Sequence, residues 1–287
     1  MKTLPQKKKY VYCLRTVNLD GTAYKGFKWP ASGYVEAPDF PPTVKCGKGL
    51  HGYLRGEGDA QSIIWDGLFQ VVKVLEKEII DLDGKVKFPR CEVVFTGDKK
   101  TATDILVKKY PAAAVIGASK IVGDREVAVV GDRGIATAGS NGMAMAGENG
   151  VATVIDAGRT VAGIGGTATS TSHGTSIAGT YGTAMTGAYG TAIAGTYGTA
   201  IAGCNGKATA GYCGVAIAGK CGVAKVDRCG TAMAGHCGKV IAGEDSKISL
   251  IYWDGKRERE TIGYVGEDGI EPNVAYILDV NNKFVKA

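Results

Sequence analysis

The sequence predicts a mainly β protein: a two-sided parallel β-solenoid of about 16 residues per coil, with an N-terminal α+β domain and a C-terminal cap. Three observations carry this. Glycine recurs every eight residues without a miss from Gly134 to Gly238. A second glycine row follows five residues behind each, from Gly139 to Gly243, broken at Ile155, Thr171 and Asp227. Hydrophobic residues reach 45 % while aromatics are only 8 %, so the core over much of the chain is built from small side chains.

An octad such as Gly190–Tyr197 reads as a four-residue strand closed by a glycine-containing turn. With 44 glycines in 287 residues, helices are excluded from the array, and only 8 prolines argue against collagen. One octad is too short to circle a core, so two octads close a coil. Fourteen octads then stack as seven coils, about 34 Å at roughly 4.8 Å per rung. Counting the first-row glycine as position one, positions three and five are mostly alanine and never charged. Position two admits Arg159, Lys207 and Lys239, and position four admits Lys225. Strand alternation therefore turns three and five inward and two and four outward.

Successive octads fall on opposite sheets. One sheet presents outward the uncharged set Thr167, Thr169, Thr183, Met185, Thr199, Ile201, Val215, Ile217, Thr231 and Met233, which is the candidate binding face. The other carries all four of the cations just named. Position eight, at the turn, stacks along the two edges: His173, Tyr181, Tyr189, Tyr197, Asn205, Cys213, Cys221, Cys229 and Cys237. Cys213 then lies over Cys229 and Cys221 over Cys237, a spacing open to disulfides. A linear stack suits tetrahedral zinc poorly, and the preferred reading is a ladder of packed thiols and tyrosines.

Residues 1–112 differ in composition and hold 19 Lys/Arg against 13 Asp/Glu, which is the whole net charge of +6. The sequence predicts strands over Tyr10–Val17, Gln70–Glu76 and Lys85–Phe95. A short helix follows over Thr101–Tyr110, started by Thr101 or Thr103 and ended by Pro111. The stretch Cys46–Asp59 is glycine-rich and reads as a structural loop. It is also the one catalytic-looking segment: His51 with Glu57 or Asp59 suits acid–base work, and Arg15 with His51 suits an anionic ligand. No Gly-Lys-Ser/Thr follows the glycines, so it is no phosphate loop. Cys46 and His51 are too few for a metal, and Cys13 or Cys91 would complete a set only by accident of folding; no metal and no cofactor is expected.

The array breaks after Gly243. Ala242–Arg257, then Gly269–Pro272, Ala275–Tyr276, Asp279 and Asn282 resemble the carboxyl-terminal end of bacterial ice-nucleation proteins. The octad Ala-Gly-x-Tyr-Gly-Thr-Ala-Ile is similar to half of that family's sixteen-residue repeat. The resemblance covers about residues 113–287 and implies a capped β-solenoid and contact with ice. The family places Thr at both outward positions, whereas here the second is usually Ile or Met, and its stacked tyrosine sits one position earlier. The layout of leading domain, octads and cap also resembles phage- and prophage-encoded alanine/glycine octapeptide proteins of no established activity.

These readings divide the chain into a leading domain (1–112), the solenoid (113–245) and the cap (246–287). The leading expectation is a non-enzymatic binding or scaffold protein whose uncharged face meets a protein partner or a second copy as a homodimer. Ice binding by the same face is one alternative, and a nucleotide-using enzyme in the leading domain is another. No basic stripe points to nucleic acid. No run of 18 apolar residues points to a membrane span, and the basic start Met1–Lys9 leads into no signal-length apolar run. A cytoplasmic protein with free thiols is the resulting expectation.

Overall fold

A computed structural model describes residues 8–287, so most of the basic Met1–Lys9 segment lies outside the described residues. The chain divides into two compact units, Met1–Ser119 with Val130–Asp132, and Lys120–Val129 with Arg133–Ala287.

Among the described residues, the first unit is a mixed-length antiparallel sheet with one α-helix. Its strands are β1 (Tyr10–Val17), β2 (Gly33–Glu36), β3 (Leu50–Leu54), β4 (Leu68–Leu75), β5 (Ile80–Asp81), β6 (Val86–Phe88) and β7 (Arg90–Gly97). They lie in the order β2-β7-β4-β1-β3-β6-β5. β1 and β4 pair along eight residues, from Tyr10 opposite Leu75 to Val17 opposite Leu68, and form the centre. Burial follows: Cys13, Val17, Val72, Val74 and Phe88 make one apolar cluster. Helix α1 (Lys99–Lys109) packs Ala102 and Leu106 inward, against β4, β1 and β7.

Three local expectations are corrected. The segment Lys85–Phe95 is two strands, β6 and β7, because Pro89 lacks the N–H a continuous ladder needs. The helix starts earlier than Thr101: Asp98 is the cap, its carboxylate accepting from the Thr101 N–H at 2.9 Å and from the Thr101 hydroxyl at 2.8 Å. The hydroxyl of Thr103 instead bonds back to the Lys99 carbonyl at 3.0 Å inside the helix. Within Cys46–Asp59 the residues Leu50–Leu54 are a strand, inserted between β1 and β6. Gly52 permits this, since a Cβ there would stand 3.1 Å from the Leu14 carbonyl oxygen and 3.2 Å from the Cys13 Cβ.

The second unit is the two-sheet parallel solenoid, with about 16 residues per turn. Rungs repeat in strict register: Thr183 pairs with Thr199 and Ala184 with Ala200 on one sheet, Thr191 with Lys207 and Ala192 with Ala208 on the other. Inward and outward faces are as the charge pattern requires. Ala192 and Ala200 are 0 % exposed, while Ile193 is 37 % exposed. The stack is longer than the seven expected coils. Among the described residues it begins with Ser119–Ile121 and Val127–Val129 and runs on through Lys247–Trp253. Ser246 replaces the first-row glycine there; its hydroxyl accepts from the Gly230 N–H at 3.1 Å and donates to the Asp227 carbonyl at 3.0 Å. The inward positions then enlarge to Ile248 and Leu250, which with Ile270 and Tyr276 close the end of the alanine seam. Antiparallel strands Glu258–Tyr264 and Ala275–Leu278 pair with the last rungs and cover their edges.

The two glycine rows are required by crowding rather than by backbone conformation. A Cβ on Gly195 would meet the Thr180 nitrogen at 2.8 Å and the Gly179 carbonyl carbon at 2.9 Å, the backbone of the rung below. On Gly198 it would meet the Ala194 Cβ at 2.8 Å across the turn. The left-handed backbone falls instead on position eight, where Tyr181, Tyr189, Tyr197, Cys213, Cys221, Cys229 and Cys237 have φ between 51° and 59°. In the seam, four hydroxyls replace alanine methyls; three satisfy one another, while Thr186 Oγ1 has no hydrogen-bond partner among the described residues. Thr160 donates to Ser176 at 2.9 Å, Ser176 donates to the Met185 carbonyl at 2.8 Å, and Ser170 therefore donates to Ser176 at 3.1 Å.

Candidate functional site

The uncharged face is one side of the sheet that contains Thr167–Ser170, Thr183–Thr186, Thr199–Ala202, Val215–Ala218 and Thr231–Ala234. Because each strand shows only its first and third residues, the face is two columns wide. Thr167, Thr183, Thr199, Val215 and Thr231 form one column, and Thr169, Met185, Ile201, Ile217 and Met233 the other. Rungs are about 4.8 Å apart and columns about 6.7 Å, so side-chain methyls and hydroxyls fall on a lattice. All ten residues are half-buried by their neighbours in the columns. That packing restricts their rotamers and makes the lattice stiff. The opposite sheet presents Arg159, Lys207 and Lys225, all exposed, at the same outward positions.

The edges stack as the sixteen-residue spacing requires. His173 lies on Tyr189 and Tyr181 on Tyr197, each pair with ring centroids 5.2 Å apart and planes 6° from parallel. Cys213, Cys221, Cys229 and Cys237 continue the ladders as free thiols. The Tyr212 ring sits edge-on to Tyr197 at 5.8 Å. Hydrogen bonding to Cys213, with the charge of Cys213 and Cys229 beside it, pushes the Tyr212 hydroxyl above the ordinary tyrosine range.

The leading unit contains a cavity of about 1050 Å³, and two of its four predicted site residues line it. Arg15, on β1, is 7 % exposed. Its guanidinium lies 3.2 Å over the Trp29 ring and donates to the carbonyls of His51 at 3.3 Å and Thr16 at 3.1 Å. Burial lowers its pKa to about 9. His51, on β3, faces Cys46, with its Nε2 3.9 Å from the thiol sulfur. Burial, then the positive charges of Lys85, Arg15 and Lys87, pull its pKa down to about 4. The two carboxylates predicted to serve His51 are engaged elsewhere. Glu57 accepts from the Ala114 N–H at 2.8 Å, and Asp59 accepts from the Gln61 N–H at 3.1 Å and the Tyr53 hydroxyl at 3.3 Å. Neither lines the cavity, so the acid–base pair is not assembled. Sequence reasoning missed Trp29, Lys85 and Lys87. The first stands fourteen positions from Arg15 and the last is fully buried, and nothing in local spacing announces either.

The His51 shift has a measurable consequence. Its folded pKa lies below the unfolded value, so the unfolded chain binds the extra proton first. Stability contributed by neutral His51 is fully present above about pH 6.5 and lost as the pH falls toward 4. For a half-exposed group, solvent screening reduces this to about 1–2 kcal/mol. His51→Gln is expected to flatten denaturation midpoints between pH 4 and 6.5; an unchanged slope would show that the group titrates normally.

No protein-family model and no solved structure matches the chain. Among curated proteins it is similar to ice nucleation proteins. That of Pseudomonas fluorescens is 34 % identical over 115 residues, covering 38 % of this chain and 10 % of the relative. One from Pseudomonas syringae is 38 % identical over 97 residues, 32 % of this chain and 8 % of the relative. That of Xanthomonas campestris pv. translucens is 31 % identical over 105 residues, 35 % of this chain and 7 % of the relative. The chain thus spans a tenth or less of the length of these relatives. Its repeat is an ice-nucleation-like β-solenoid. The expected cytoplasmic location is corrected by the same finding, because ice nucleation proteins are known as surface proteins anchored at the outer membrane. Among the described residues, no helix is long and apolar enough to cross a membrane.

Proposed function

We propose that the solenoid is an ice-binding surface, with the uncharged columns at Thr167–Thr199 and Thr169–Ile201 as the contact. The observation that carries this is the in-register ladder of threonine hydroxyls and aliphatic side chains on a stiff sheet whose outward positions carry no charge from Ile135 to Met233, the first cation being Lys247 on the next rung. A charged side chain holds its own hydration shell and disrupts an ordered water layer; methyls beside fixed hydroxyls do not. The likeness to ice nucleation proteins supports the reading. The test is direct. The protein should shape growing ice crystals and give thermal hysteresis, and Thr183→Lys with Thr199→Lys should abolish both without lowering the melting temperature appreciably. Round, unshaped crystals from the unmodified protein would remove the reading.

One observation favours a second use of the same face. From Met185 through Ile201 and Ile217 to Met233 the second column is wholly aliphatic, which suits burial against a protein partner or, about a two-fold axis, a second copy. Sedimentation at high micromolar concentration separates the two: a dimer dissolved by Thr199→Glu with Ile201→Glu supports association, and a monomer leaves the face to ice.

A further inference from the structure

We infer that the cavity of the leading unit binds a nucleoside phosphate, a planar ring carrying a compact anion. This stands apart from the ice-binding reading, which concerns the other unit. The first ground is charge. Among the described residues, four cationic side chains line the cavity, Arg15, Lys25, Lys48 and Lys85, against the one carboxylate of Asp39, which already lies 3.5 Å from Lys48. Arg15 is the telling member. A guanidinium so deeply buried is normally matched by a carboxylate, yet no ion pair involves it among the described residues, and its Nε has no hydrogen-bond partner. Burying an unmatched charge costs stability, and a bound anion offsets that cost. The positive field reaches His51, whose proton is expelled by Lys85, Arg15 and Lys87 after burial.

The second ground is aromatic. Tyr24 and the half-buried Phe27 bring aromatic surface to the same space, with Phe27 edge-on at 5.9 Å and 79° to the buried Trp29, whose ring already carries the Arg15 guanidinium. Tyr24 is 77 % exposed and Lys25 beside it has φ of 58°, so a turn holds both at the mouth. Such rings suit stacking against a planar ligand, and the cations suit its phosphate. The volume, about 1050 Å³, is enough for a mononucleotide. The same residues carry no assembled acid–base pair, since Glu57 and Asp59 are engaged outside the cavity, so the inference is of binding and not of catalysis.

The full chain is titrated by calorimetry and tryptophan fluorescence with AMP, ATP, adenosine and inorganic phosphate. AMP or ATP should bind saturably and change the Trp29 emission, with adenosine and phosphate alone each at least tenfold weaker. Trp29→Phe removes the emission change but not the heat of binding. Lys85→Glu, a change at a half-buried site whose ammonium donates to Ser62 Oγ, should weaken nucleotide binding tenfold or more while the unliganded melting temperature holds. In NMR spectra, saturating AMP should raise the His51 pKa, because the ligand's negative charge cancels the surrounding field. Arg15→Lys serves as a second variant that keeps the buried charge and loses the planar fork. No binding by either nucleotide at millimolar concentration overturns the inference. So does adenosine binding as tightly as AMP, phosphate alone binding as tightly as AMP, or a Lys85→Glu protein that binds unchanged.

Discussion

Ala200→Asp is expected to destabilise the middle of the solenoid by about 3–5 kcal/mol, the largest single effect foreseen for this chain. Ala200 is 0 % exposed and sits between Ala184 and Ala216 in its column. Every inward position of the octads is uncharged, so no cation is available to meet a carboxylate there. The neighbours are methyls, whose only attraction is close packing, and a carboxylate both desolvates and forces the sheets apart. Ile201→Asp, one residue on and outward, should cost no more than about 1 kcal/mol, because the new charge remains in water. Because each rung contacts chiefly its neighbours, the damage should be local before it is global. Hydrogen exchange of amides in Thr183–Thr186 and Val215–Ala218 should accelerate in the first variant and stay protected in the second. Equal effects from the two substitutions would falsify the inside–outside assignment.

The second large effect is a reversal of the usual expectation about glycine. Gly195→Ala should cost about 1–3 kcal/mol although it adds one methyl, because the methyl points at the backbone nitrogen of Thr180 and the carbonyl carbon of Gly179. Backbone held in a ladder cannot turn aside as a side chain can. The Gly195 N–H also donates to the Ala178 carbonyl at 3.1 Å, and opening the rungs stretches that bond. Tyr197→Gly, at a residue with φ of 55°, should by contrast lie within about 1 kcal/mol of neutral. Relief of a left-handed tyrosine is worth about 1 kcal/mol, and loss of its stack on Tyr181 costs about as much. Thermal melts of the two variants side by side decide it: a Tyr197→Gly protein less stable than Gly195→Ala would mean that conformation, not crowding, selects the glycines.

The candidate sites differed in how far they could be read in advance. The uncharged columns follow from an eight-residue period and a rule about charge, both local, so Thr183, Thr199 and Ile201 were legible one octad at a time. The cavity was only half legible. Arg15 and His51 stood out by residue type, yet their company is decided by strand order, which brings β3 between β1 and β6 and carries Lys85 to its rim. Glu57 and Asp59, close to His51 in sequence, turn away because backbone N–H groups at Ala114 and Gln61 take their oxygens.

Taken alone, the amino-acid order determined the coil length, the two sheets, the alanine seam and the uncharged face, because a repeat makes every long-range contact a copy of one local rule. Tertiary structure alone decided where the array stops and which residue of each turn is left-handed. It also decided what surrounds Arg15. Those depend on how close one backbone comes to another and on which buried charge finds a partner, and neither distance is written in any single stretch of chain.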